Sequence, residues 1–92
     1  MPNTKSAKKR LRQNETRRAR NRAVKSAIRT QVRRVREAIA AGDMDRATAE
    51  FRRACQRLDR AGTRGVIHPN RAARLKSRLN ARLKAAAQAQ AG

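Results

Sequence analysis

Aromatic residues are almost absent: Phe51 is the only one, and there is no Trp or Tyr. Sheet-based readers of single-stranded nucleic acid stack bases on two or three exposed rings, so that class is excluded. The single cysteine, Cys55, can form neither an intrachain disulfide nor a multi-cysteine metal site, and the simplest compartment is reducing and cytosolic. Acidic residues number only six in 92; Glu15, Glu37, Asp43, Asp45, Glu50 and Asp59 show no paired-carboxylate constellation. His68 is alone, so a metal site or proton relay has no partners, and there is no phosphate-cradling glycine loop. The chain therefore reads as non-enzymatic, with no cofactor, no metal and no small-molecule substrate. No apolar run approaches the roughly 20 residues of a membrane span. The N-terminus, MPNTKSAKKRLRQ, is basic but lacks the apolar stretch of a secretory signal. Its charge imitates an organelle transit peptide, but those are usually Ser-rich, and here the basic pattern runs on into the body.

What the chain has in excess is positive charge. Twenty-six Lys and Arg against six acids give +20 at neutral pH, and twenty of the basic residues are Arg. The planar guanidinium fork suits phosphate oxygens better than a Lys point charge does. A 92-residue chain fits one small domain with a thin core, and +20 on so small a body repels itself. The expected partner is a polyanion.

Glycines punctuate the chain at Gly42 and at Gly62 with Gly65, and the stretches between them are helix-forming. In the first long segment Val24, Ile28, Val32, Val35 and Ile39 recur at steps of three and four, flanked by Ala27, Gln31 and Ala38. Gly42 suits the left-handed position after a helix C-terminus, Asp43 the next N-cap, and Asp45 the first turn. The second segment places Met44, Ala47, Phe51, Ala54 or Cys55, and Leu58 on one face and ends at Gly62. In the connector GTRGVIHP, Val66 and Ile67 are expected to tuck against the bundle, and Pro69 fits a first helical turn. The third segment carries Ala72, Leu75, Leu79, Leu83 and Ala86 on one face and then fades into AAAQAQAG. The predicted fold is all-α, a three-helix antiparallel bundle in a single domain over 1–92, with a frayed tail at 84–92. A first helix over about 5–41 would be roughly 55 Å long, so part of it must project beyond the shorter second helix.

The charge is distributed unevenly. Residues 1–41 hold fourteen basic and two acidic groups, 42–62 five and four, and 63–92 seven and none. A generic soluble coat would spread both signs over all three helices. On a helical wheel Arg18, Arg22, Lys25, Arg29, Arg33 and Arg36 form one stripe, about a quarter-turn from the Val/Ile seam. Arg71, Arg74, Arg78 and Arg82 form a second stripe, about a quarter-turn from the leucines. Charge runs are usually just solvated faces, but here too few acids are interspersed for that reading. Two basic ridges beside one core suit two phosphate strands or two neighbouring RNA helices. Ahead of Val24, the residues Lys5, Lys8, Lys9, Arg10, Arg12, Arg17, Arg18, Arg20 and Arg22 surround the whole helix, with Leu11 the only large apolar group after Met1. Residues 1–23 are thus a basic arm, disordered when free, or a helix extension held by phosphates on several sides. Without aromatics, contact falls to Arg and Lys forks, Asn, Gln, Ser and Thr groups and helix N-termini, which mainly engage phosphates and sugars. Such contacts favour the shape of a folded RNA over a base sequence. The same stripes could serve an architectural DNA-binding protein, although no reading helix of a helix-turn-helix and no apolar wedge is evident.

Specific stretches carry more than charge. KSAKKR at 5–10, IRT at 28–30, RRV at 33–35, AIAAGD at 38–43, Phe51 and GVIHPNRAARLKSRL at 65–79 resemble the S-twenty family of bacterial small-subunit ribosomal proteins over nearly the full chain. The block Gly-x-Ile-His-x-Asn-x-Ala-Ala-Arg-x-Lys is the most specific part. The resemblance implies a three-helix bundle with an extended first helix at the foot of the small subunit. It implies an assembly protein of the cytoplasmic ribosome that binds small-subunit ribosomal RNA early and joins RNA helices, with other components of that subunit as neighbours. The chain departs from the family in preferring Arg over Lys, in Pro69, and in its Ala/Gln tail; Pro69 removes a backbone N–H but leaves His68 and Asn70 available. Stripes and resemblance together give an expected RNA-binding set of Lys5, Lys8, Lys9, Arg10, Arg12, Arg17, Arg18, Arg22, Lys25, Arg29, Arg33, Arg34, His68, Asn70, Arg71, Arg74, Lys76 and Arg78. His68 can contact phosphate, cap the third helix or pack. Cys55, on the Phe51/Leu58 face with no neighbouring His, reads as a small core residue rather than a nucleophile.

Overall fold

The computed structural model describes residues 4–91 and contains three helices, α1 (Lys5–Ala40), α2 (Met44–Thr63) and α3 (Pro69–Ala91). Residues 1–3 of the basic arm and Gly92 at the end of the tail lie outside the described residues. Each helix boundary has a local chemical cause. The Thr4 hydroxyl accepts from the Ala7 N–H at 3.3 Å and starts α1, a cap the sequence analysis missed. At the end of α1, Gly42 takes φ +76°, and the Gly42 and Asp43 N–H groups turn back to the carbonyls of Ile39 and Ala38, both at 3.1 Å. Asp43 then caps α2 by accepting from the Arg46 N–H at 3.1 Å.

The end of α2 differs from expectation. Gly62 lies inside the last turn, and Gly65 takes the left-handed position at φ +76°. The Gly65 and Val66 N–H groups return to the carbonyls of Gly62 and Ala61, at 3.2 and 2.9 Å. Gly62 instead lies where a Cβ would come within 3.6 Å of Ala72 and 3.7 Å of Pro69, at ordinary contact distance. Pro69 opens α3 as its first helical residue. The tail is the second difference: α3 stays helical through Ala91 rather than fading after residue 83. Ala and Gln are good helix formers, and Gln90 Nε2 donates to the Gly42 carbonyl at 2.7 Å, tying this end to the α1–α2 turn.

The core holds Ile28, Val32, Val35, Ala54, Leu58, Ala61, Ile67, Ala72 and Leu79, with Val24, Ile39, Phe51, Val66 and Leu75 partly buried against it. Ala47, Ala54 and Ala61, seven residues apart on α2, are all 0–1% exposed and let the neighbouring helices approach closely. The buried face of α2 is rotated toward these alanines, so Phe51, Cys55 and Met44 are only half-buried. Glu50 and Gln31 are buried in the α1–α2 contact. Gln31 Nε2 donates to the Glu50 backbone carbonyl at 2.9 Å and to its carboxylate, and Arg53 lies 3.4 Å from the other carboxylate oxygen. Every polar group of this cluster that is sealed from water therefore has a partner.

The packing is unequal. α1 lies mainly on α2 and α2 on α3, while α1 and α3 meet only sparsely. The core begins at Val24, and Leu11 is 60% exposed. Residues 5–23 of α1 therefore stand clear of the bundle as a helical rod about 28 Å long. The described chain measures 67 × 22 × 16 Å.

Candidate nucleic-acid interface

Because α1 and α3 barely touch, the two Arg stripes do not lie on separate faces. Parts of both border one groove of about 670 Å³. Lys25, Arg29, Arg33 and Arg36 line it from α1 and Arg71 from α3, over a floor of Ile28, Val32, Ile67 and Leu75. The groove continues past Val32, Leu75 and Leu79, where Arg36 faces Arg78 and Arg82. Arg36 and Arg82 lie outside the expected binding set, yet the wheel had already put them in the stripes.

The other expected residues fall into three groups. Lys5, Lys8, Lys9, Arg10, Arg12, Arg17, Arg18 and Arg22 are all exposed on the projecting part of α1. Lys5, Lys8, Lys9 and Arg12 share one shallow surface, and Arg18, Arg22 and Lys25 another with Glu15 and Asn21. Arg10 and Arg17 continue the line of the Val/Ile seam beyond the bundle, where both are exposed. Arg34 is exposed on the far side of α1 from the groove, and Arg74 is exposed on the outer side of its own stripe. Lys76 stands apart: it is half-buried, and its ammonium donates to Asp59 at 2.8 Å across the α2–α3 contact. That hydrogen bond raises the Lys76 pKa above the ordinary lysine value.

His68 caps α3. Its carbonyl accepts from the Arg71 and Ala72 N–H groups, and its Nδ1 accepts from the Asn70 N–H at 3.1 Å. With Nδ1 accepting, the neutral ring carries its proton on Nε2, which is left to donate elsewhere. Asn70 and Arg71, in the first turn, are exposed.

The helix ends add to this pattern. α2 is self-sufficient, with Asp43 at its N-cap and Asp45 in its first turn. α1 and α3 have no acid in their first turns. They carry Lys5 and Lys8, and Arg71, where the helix dipole favours negative charge. At α1 an external anion meets both the first-turn N–H groups that Thr4 leaves open and the lysines. At α3 the Asn70, Arg71 and Ala72 N–H groups are already held by His68, so an anion there meets the dipole and the Arg71 cation alone.

Ion pairing leaves most of the charge open. Among the described residues the ion pairs are Arg33–Glu37 at 4.0 Å, Arg53–Glu50 and Lys76–Asp59. Arg33 and Glu37 are both largely exposed, so that pair holds Arg33 only weakly. Burial pushes the Cys55 thiol above its ordinary pKa, with Lys76 opposing and Asp59 adding, which disfavours the nucleophilic thiolate. Among the described residues no cluster of three His, Cys, Asp or Glu is placed to hold a metal ion, and no helix is long and apolar enough to cross a membrane.

Comparison with known proteins agrees with the resemblance seen in the sequence. A family model described as "Ribosomal protein S20" matches residues 2–84. The small ribosomal subunit protein bS20 of Rhodopirellula baltica is 57% identical over 88 residues, covering 96% of this chain and 98% of that protein. Its namesake from Shewanella piezotolerans is 54% identical over 87 residues, covering 95% and 99%. The Thermobifida fusca protein of the same name is 50% identical over 91 residues, covering 99% of each. With a family match over most of its length and relatives this similar end to end, the chain belongs to the ribosomal protein S20 family.

Proposed function

We propose that this protein is a non-catalytic structural component of the small ribosomal subunit in the cytoplasm. It binds small-subunit ribosomal RNA directly, clamps RNA helices together and aids assembly of the particle. The observation that carries this reading is the facing of the two Arg ridges across one open groove, with almost no acids to neutralise them. The relatives' printed names, each a small ribosomal subunit protein, supply the particle. Helices α1 and α3 contact phosphates, α2 supports both through the alanine-lined core, and the basic rod of α1 reaches a second RNA element beyond the bundle. If roughly six to ten phosphates are engaged, affinity falls about 10³–10⁵-fold between 50 and 200 mM salt.

The test is to fractionate a native lysate on a sucrose gradient, locate this chain, and wash its peak with increasing salt. Stoichiometric co-sedimentation with the small subunit, resistant to moderate salt, is expected. Migration with the chromosome or at the top of the gradient would overturn the reading.

A further inference from the structure

The groove between the ridges has a chemistry that phosphate neutralisation alone does not require. Ile28, Val32 and Ile67 keep 8–9% of their surface exposed, and Leu75 is half-buried beside them. A ridge that only neutralises phosphates needs no hydrocarbon between its cations. A core seam, in turn, needs no opening of about 670 Å³. A nucleotide unites both chemistries, with flat, weakly hydrated base faces linked to an anion.

We propose that this groove receives the base of one nucleotide turned out of its RNA stack, with the flanking phosphates held by Arg29 and Arg71 on the two walls. The inference rests on the RNA-binding reading above and deepens it. No aromatic ring lines the groove, so the base lies on aliphatic side chains and against guanidinium planes, which also serve as stacking surfaces. A base already unpaired in a loop or bulge is extruded at least cost, so the ligand is an unpaired nucleotide of a folded RNA. The competing occupant is an acidic amphipathic protein segment. The continuous run of Arg past the groove, to Arg78 and Arg82, favours a chain charged at every unit over a peptide charged at intervals along one helical face.

The test uses the full chain bound to a transcript of small-subunit ribosomal RNA. Short-wave ultraviolet light excites the bases and joins them, at zero length, to the side chains they touch; mass spectrometry of the adducts then locates the contact. Adducts on Ile28, Val32, Ile67 or Leu75 are expected. A Leu75→Gln variant, nearly unchanged in size and charge, loses apolar contact with the base and is expected to bind about tenfold more weakly with the same salt dependence and unchanged helicity. A wild-type chain that binds with a steep salt slope but gives no adduct in the groove overturns this inference and leaves the RNA-binding reading intact. Chemical cross-links placing a protein segment in the groove of the assembled particle overturn it in favour of the acidic peptide. A wild-type chain that does not bind the transcript overturns both.

Discussion

Arg29 is unpaired among the described residues while Lys76 is paired with Asp59, and counterion release turns such a difference into a measurable slope. Each phosphate contact contributes about 0.9 to the slope of log K against log salt on a duplex and about 0.7 on a single strand. The two ridges carry ten cations, six on α1 and four on α3, so full engagement gives a slope of about −7 to −9. Arg29 is exposed and belongs to none of the ion pairs among the described residues. Arg29→Ala is therefore expected to flatten the slope by about 0.7–0.9, and Arg33→Ala to do nearly the same, because its pairing with Glu37 is loose. Lys76→Ala is expected to leave the slope unchanged, because its ammonium lies 2.8 Å from Asp59. Asp59→Asn releases that ammonium and is expected to steepen the slope by about one contact. The assay is fluorescence anisotropy with a transcript of small-subunit ribosomal RNA over about 50–300 mM KCl, with circular dichroism to verify that helicity is retained. Unchanged slopes for both Arg29→Ala and Arg33→Ala would refute the two-ridge clamp. A flattening by Lys76→Ala equal to that of Arg29→Ala would refute the pairing argument.

Three further outcomes follow from packing and local chemistry. Leu79 is 3% exposed, so Leu79→Ala is expected to lower stability by about 2–5 kcal/mol in denaturant titration; a loss below about 0.5 kcal/mol would show a surface site. Gly42 has φ +76°, so Gly42→Ala is expected to cost about 1–2 kcal/mol from backbone strain. A new Cβ 3.0 Å from Gln90 Nε2 adds a smaller penalty that the flexible amide can relieve, and a melting temperature equal to wild type would remove the argument. Burial raises the Cys55 pKa, so at about pH 8 the folded chain holds less thiolate than the unfolded chain and is expected to react more slowly with iodoacetamide. The same upward shift contributes stability that is present below the ordinary thiol pKa and is lost as pH climbs through the raised value.

Helix placement was legible because it depends on local chemistry. Gly42 with Asp43, and Pro69, marked their boundaries with residues whose backbone preferences suit little else. The Val24-to-Ile39 seam was equally plain from its spacing. What was not legible depended on where one helix lies against another. Gln31 read only as a flank of the seam and Glu50, nineteen residues on, only as an acid without a carboxylate partner, until α2 turned its alanines inward and sealed the pair. Lys76 matched the surrounding basic pattern, and only the α2–α3 contact showed that Asp59 holds it. Gly62 was the expected end of α2, but the left-handed turn falls at Gly65, directly before Val66 and Ile67, which the core buries in part and in full. The stripes themselves were visible on the wheel. Their meeting across an open groove was not, because it follows from how little α1 and α3 touch.

The unbroken run of α1 from core to tip makes the protein a ruler. No glycine or proline interrupts Lys5–Ala40, so docking the bundle on one RNA surface sets where the tip reaches, about 28 Å beyond the core. The cations around that tip face every direction, so its grip tolerates rotation about the helix axis but not a change of length. Removing seven residues from the rod, nearly two full turns, would leave the facing almost unaltered and draw the tip in by about 10 Å. On the function proposed above, the rod thus gives the particle a distance between two RNA surfaces, set by the number of residues the helix contains.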